Sequence, residues 1–253
     1  MKKGLLFLTG LVGLLSGACS TLSFKDVGVL ARDLPRHNSF EYLTWFSLPE
    51  EYFTAAYKTL EDPYVYIVLS DTGSPGSKAI GLFTSSPYNH VSLSFDPALE
   101  TLVSYNGGNG IFRPGLNRER LEHLNQKPGA SLAVYRLLIT GAQKQLLIDR
   151  VAAINREGSS YNILGLLTGT SALPNIMFCS QFVYTVLEDA GAAYFNKKGG
   201  TVRPMDFINL DPDERLEFAG KIFFNTHKDQ KISGEKKYSL IFDSRSIMAY
   251  HLA

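Results

Sequence analysis

Cys179 lies in the stretch Phe178-Cys179-Ser180-Gln181-Phe182-Val183-Tyr184, and the only other cysteine of the chain is Cys19. Phe182, Val183, Val186 and Leu187 follow Cys179 at three, four, seven and eight residues, the stripe that one helix face buries. Gly191 supplies a stop. The spacing therefore predicts that Cys179 sits in or just before the first turn of a helix. Unpaired backbone N–H groups and the positive end of the helix dipole stabilise a thiolate at such a place. A free thiol titrates near ~8.5, and positions of this kind can lower that to about 3.5–7.5. The chemistry offered is that of a sulfur nucleophile. The plainer alternative is a small buried hydrophobe, the commonest role of free cysteine.

A thiol nucleophile needs a base, and His90 is the candidate. In His90-Val91-Ser92-Leu93-Ser94-Phe95 the apolar residues Val91, Leu93 and Phe95 alternate with His90, Ser92 and Ser94. That is the period-two signature of a half-buried strand, with His90 at its start on the polar face. Pro97 to Glu100 reads as a turn, and Thr101 to Asn106 as the returning strand. In a hairpin turning near Leu99, the residue facing His90 is near Asn106, and Ser104 sits two residues back on the same face. Either could bond the second ring nitrogen and fix the tautomer, the third part of a cysteine–histidine pair. Asn106 reads equally as the start of the loop Asn106-Gly107-Gly108-Asn109-Gly110. His90 taken alone reads as a structural histidine. His37, among Pro35, Arg36 and Asn38, reads as part of a solvated loop.

The elements that must position these residues are legible in outline. Phe40 to Leu60 is rich in aromatic residues and predicts a helical segment broken at Pro49. Tyr64 to Leu69 predicts a strand, Asp71 to Gly76 a loop and Lys78 to Thr84 a short apolar segment. Asn117 to Leu124 predicts a short helix with Glu119, Glu122 and His123 on a solvated face. Ala133 to Ile139 predicts a strand. Thr140 then caps an amphipathic helix with Leu147, Val151 and Ile154 as its buried stripe and Gly158 as its end. Tyr161 to Thr170 is apolar and leads through Pro174 to the Cys179 helix. Ile222 to Phe224 and Tyr238 to Phe242 predict strands, with a polar loop from Lys228 to Lys237 between them.

The amino-terminal end predicts a leader over residues 1–18. Lys2 and Lys3 precede an apolar run from Leu5 to Leu15, which ends in Ser16-Gly17-Ala18-Cys19. The run is shorter than the roughly 20 residues that span a bilayer. The small residues before Cys19 resemble a bacterial lipoprotein box, with Ser16 where leucine is usual. Cys19 would then carry the lipid, and two or more acyl chains hold a protein stably at a membrane. The alternative is a plain signal peptide and a soluble secreted or periplasmic protein. Residues 19–61 are expected to form an extension packed on a domain of residues 62–253. The 253 residues are 45% hydrophobic and 19% charged with a formal net charge of +1, so one large globular domain is expected and nucleic acid is not. With Cys19 assigned to the leader, no disulfide framework is expected.

The order of parts resembles the circularly permuted papain-like proteins of the NlpC/P60 superfamily, specifically the YaeF/YiiX-like amidase group. The resemblance is carried by Pro87-Tyr88-Asn89-His90-Val91-Ser92-Leu93, by Phe178-Cys179-Ser180-Gln181-Phe182-Val183, and by Arg203-Pro204 with Asp206-Phe207, across roughly residues 62 to 225. It implies an α+β fold with an antiparallel, barrel-like sheet packed against helices. It also implies a cysteine nucleophile at Cys179, a histidine base at His90 and a third polar group. Ser104, Tyr105 and Asn106 remain open for that third place.

The expected activity is that of a cell-envelope hydrolase attacking amide or acyl bonds through a thioester, with no cofactor. Its substrates would be peptidoglycan peptides or lipids, and its second partner a membrane held through the lipid anchor. A different class of function, a catalytically inactive envelope lipoprotein that binds or scaffolds, uses the same fold. A zinc site is a third reading, for which no CxxC pair or third ligand stands at recognised spacing.

Overall fold

A computed structural model describes residues 43–71, 87–107, 113–121, 130–162, 174–224 and 238–241. The expected leader, the lipid-bearing Cys19 and His37 lie outside these residues, as do the segment from Lys78 to Thr84, His123, most of the run from Tyr161 to Thr170 and the loop from Lys228 to Lys237. No helix among the described residues is long and apolar enough to cross a membrane.

The chain is α+β. In order it forms α1 (Glu50–Tyr57), β1 (Tyr64–Ser70), β2 (His90–Ser94), β3 (Val103–Asn106), β4 (Gly115–Arg118), β5 (Ser131–Leu138), α2 (Gly141–Glu157), β6 (Ser160–Tyr161), β7 (Ile176–Met177), α3 (Cys179–Asp189), a 3-10 turn (Gly199–Thr201), α4 (Asp206–Asn209), β8 (Leu216–Phe224) and β9 (Tyr238–Ile241). Seven strands make one antiparallel sheet in the order β4-β3-β2-β1-β5-β8-β9.

The central strand β1 shows why the sheet is buried on both faces. Its sequence YVYIVLS has no polar alternation, as expected of a strand covered on two sides. Val65, Ile67 and Leu69 belong to the larger core, which α2 and α3 close with Leu147, Ile148, Val151, Ile154, Phe182, Val183, Val186 and Leu187. Tyr66 and Val68 belong to a second core with Leu99, Leu102, Leu132, Val134 and Ile222.

The polar face of β2 is not half-exposed as its alternation predicts. Ser92 and Ser94 are as completely buried as Val91 and Leu93. Buried hydroxyls require partners, and those of Ser92 matter for the site. The expected helix from Asn117 to Leu124 is also corrected. Residues 115–118 are instead β4, whose pairs Ser104↔Asn117 and Asn106↔Gly115 add it to the sheet beyond β3. The segment before Pro49 is not helical either. Thr44 bridges to Ser159, and Pro49 stands at the N-cap of α1 rather than breaking a longer helix. Leu48, Tyr52 and Ala56 lie in the larger core, so this part of the expected extension is built into the domain.

The helix from Gly141 to Glu157 forms as expected. Thr140 and Gln143 make a reciprocal capping box, and Gly158 ends the helix at φ +89°. Gly158 also carries the indole of Trp45. A Cβ built there would lie 2.6 Å from Trp45 Nε1. Gly158→Ala is therefore expected to destabilise the protein by about 2–4 kcal/mol, measurable as a shift of the denaturant midpoint at constant slope.

Candidate active site

Phe178 occupies the N-cap position of α3 in extended conformation, and no side chain caps the helix. The first helical N–H bond runs from Phe182 to the carbonyl of Phe178 at 2.9 Å. The N–H groups of the first turn are thus not consumed by a capping side chain. Ser180 turns its hydroxyl to the carbonyl of Val202 at 2.7 Å. Cys179 opens the helix, as its spacing predicts, and is 2% exposed.

α3 packs on β2 and β3, with Phe182 stacked on Tyr105 at 4.8 Å between ring centres. This packing brings Cys179 close enough to His90 for the charge of the sulfur to act on the imidazole. The hairpin register follows the expectation as well: Leu93 pairs with Val103, which carried along the strands sets His90 across from Asn106.

The far side of the ring is held by Glu119. His90 Nε2–H donates to Glu119 Oε1 at 2.9 Å, and Ser92 donates to Oε2 at 2.5 Å. Ser104 Oγ lies 3.2 Å from the same ring nitrogen. With Nε2 engaged in this way, Nδ1 is the nitrogen left for sulfur. Glu119 is positioned by the sheet, because its N–H continues the β3–β4 ladder to the carbonyl of Leu102 at 2.8 Å.

Of the residues expected for the third place, Ser104 is brought to the imidazole and Asn106 accepts from Asn117 Nδ2 at 3.1 Å through its Oδ1. Tyr105 donates its hydroxyl to the carbonyl of Asn175 at 3.1 Å. Glu119, expected on a solvated helix face, is 8% exposed. One signal was available for it. Ser92 and Ser104 are hydroxyls on facing strands, and a buried polar face of that kind calls for a charged or amide partner.

Burial alone would lower the His90 pKa, but the Glu119 carboxylate and then Cys179 outweigh it, and the imidazole is held well above the ordinary 6.5. Burial alone would raise Glu119. The His90 charge and the hydrogen bonds from His90 and Ser92 bring it below the ordinary 4.5. The sign of the resulting linkage is opposite for the two groups. The contribution of His90 is fully present below about 6.5 and is lost as pH rises through its raised value. That of Glu119 is present above about 4.5 and is lost as pH falls through its lowered value. The stability difference between wild type and Glu119→Gln is therefore expected to be greatest between about pH 4.5 and 6.5 and to shrink on both sides. Denaturant titrations across pH would check this, and a gap independent of pH would contradict the pairing.

Tyr161 completes the surroundings. It sits on β6 in register with Met177 and close enough to Cys179 that burial and the charge of the sulfur both push its phenol well above 10. Arg203 lies over the Phe178 ring at 5.7 Å. Among the described residues no group of three or more histidine, cysteine, aspartate or glutamate side chains is arranged to hold a metal ion.

No family model, no curated protein and no solved structure matches the chain.

Proposed function

We propose that this protein is a cysteine hydrolase that cleaves an amide or acyl bond through a thioester on Cys179. The observation that carries the reading is a single imidazole that bonds the buried Glu119 carboxylate through Nε2 and lies close enough to Cys179 for the sulfur's charge to raise its pKa. An imidazole made this basic by a buried carboxylate takes the thiol proton and keeps it while sulfur attacks the carbonyl carbon. The imidazolium then gives that proton to the departing amine or alkoxide, leaving the acyl group on sulfur. Water, deprotonated by His90, hydrolyses the thioester and restores the thiol. The first-turn N–H groups of α3, that of Cys179 included, provide donors for the developing oxyanion; loss of one such donor typically costs about 10²–10³ in rate. Glu119 acts through His90 and is a positioning residue, with Ser92 holding it.

The arrangement supports a permuted papain-like domain of the NlpC/P60 type, with the histidine strand before the cysteine helix and an antiparallel sheet behind both. The lipoprotein-like leader supports a place in the cell envelope, anchored through Cys19, with peptidoglycan peptides or lipids as substrates.

The test is to incubate the protein with a panel of envelope amides and acyl esters and to follow its intact mass. A transient adduct of the acyl mass, released by hydroxylamine and mapped to Cys179, is the expected result. Product formation without any adduct, and equal in Cys179→Ala, would remove the proposal.

A further inference from the structure

Trp45 and Phe46 stand out of the surface on a segment that its neighbours hold still. Trp45 is 47% exposed and Phe46 70%. Thr44 exchanges backbone hydrogen bonds with Ser159 at 2.8 and 2.9 Å, and Phe46 N–H donates to the carbonyl of Asn155 at 2.8 Å. The Asn155 side chain accepts from Leu48 N–H and donates to Leu48 C=O, each at 3.0 Å. Within this clamp Phe46 has a φ of +52°. Bulky residues rarely adopt that conformation, and they persist there only where the surroundings enforce it. Its consequence here is an aromatic ring held out in solvent, beside an indole whose other side lies on Gly158.

We infer that this segment inserts into the interfacial layer of a lipid bilayer, with the Phe46 ring at the acyl boundary and the Trp45 indole at headgroup depth. The side-chain chemistry fits, because indole has an apolar body and one N–H and concentrates where hydrocarbon meets water. The size fits lipid rather than protein. Two partly exposed rings offer roughly 250 Å², far below the ~800 Å² that each partner buries in a stable protein complex. A bilayer needs no complementary face.

The charges around the segment are mixed. Arg113 precedes Pro114, whose carbonyl accepts from Thr44 Oγ1 at 3.3 Å, and Arg156 follows Asn155; both arginines are exposed. Glu157 is engaged by Arg150 and Asn175, while Glu50 and Glu51 open α1. Insertion is therefore driven by the rings, and salt has little effect on it. The inference stands whether or not Cys179 is a nucleophile. If it is, the bilayer lies near the site, because Gly158 under Trp45 leads through Ser159 and Ser160 to Tyr161 beside Cys179.

Trp45 is the only tryptophan of the chain, so its emission reports on this segment alone. The full chain would be mixed with phosphatidylcholine vesicles whose acyl chains carry bromine near the headgroup end or near the methyl end. The expected result is a blue shift with quenching, stronger for bromine near the headgroup and unchanged at high salt. Phe46→Ser should lose most of the quenching while keeping its circular dichroism. An anchor upstream of residue 43 would tether the chain without quenching Trp45, so tethering alone is not mistaken for insertion. Absence of quenching in the wild type would overturn the inference. So would undiminished quenching in Phe46→Ser, or a blue shift that grows with protein concentration in the absence of lipid, which would mean that a second copy covers the rings.

Discussion

Cys179→Ala is expected, on the proposed mechanism, to lower turnover of a cleavable amide or ester by about 10⁴-fold or more, the scale on which loss of a covalent nucleophile is felt in hydrolases. The argument rests on the division of labour at the start of α3. The backbone donors and whatever substrate contacts exist survive the substitution, so some acceleration over water remains. What disappears is the covalent step, because alanine has no electron pair for the carbonyl and His90 has no thiol proton to take. The loss should be catalytic and not structural. Cys179 is small and the residues that seat the helix, Phe182, Val183, Val186 and Leu187, are untouched. The expected stability change is within about 1–2 kcal/mol, so a folded, inactive variant is the outcome to look for. A folded variant with turnover within tenfold of wild type would exclude Cys179 as nucleophile.

Glu119→Ala is expected to be the most damaging single change outside the nucleophile. It leaves the His90 Nε2–H and the Ser92 hydroxyl without their partner in a buried place. Removing one member of a buried charged pair costs about 3–5 kcal/mol, a large part of the stability of a domain this size. Glu119→Gln separates the two roles of the residue. The amide oxygen can still accept from His90 and hold the ring, but the negative charge is gone. Burial then lowers the His90 pKa with less to oppose it, since Glu119 is the largest raising influence. The alkaline limb of kcat/KM, where the imidazolium loses its proton, should therefore move to lower pH in Glu119→Gln while the variant stays folded. A profile that does not move would make Glu119 a packing residue only.

The parts of the site that the chain announces in advance are those written in local periodicity. The stripe from Phe182 to Leu187 places Cys179 at a helix start without reference to anything distant. The alternation around Val91 and Leu93, with a turn near Leu99, sets the hairpin register, and so brings Ser104 to the His90 side. The capping box at Thr140 is local as well. Glu119 is different. Gly115-Leu116-Asn117-Arg118 contains no β-branched or aromatic residue, and its charge-rich continuation looks helical. It becomes a strand only because β3 offers an unpaired edge, with Leu116 filling the core and the hydroxyl of Ser159 meeting its N–H at 2.9 Å. Propensity lost to tertiary pairing there, and the acidic partner of His90 was lost from view with it. The segment before Pro49 went the same way: its aromatic residues suggest a helix, but Thr44 pairs with Ser159 and Phe46 is turned outward.

His90 and Glu119 come from the sheet, and Cys179 from a helix that follows in the chain after most of its strands. The proposed nucleophile and base consequently meet only when α3 docks on the sheet. Until then the proposed nucleophile has no base beside it. On the proposed mechanism the reactive pair is therefore a product of tertiary docking and belongs only to the completed fold.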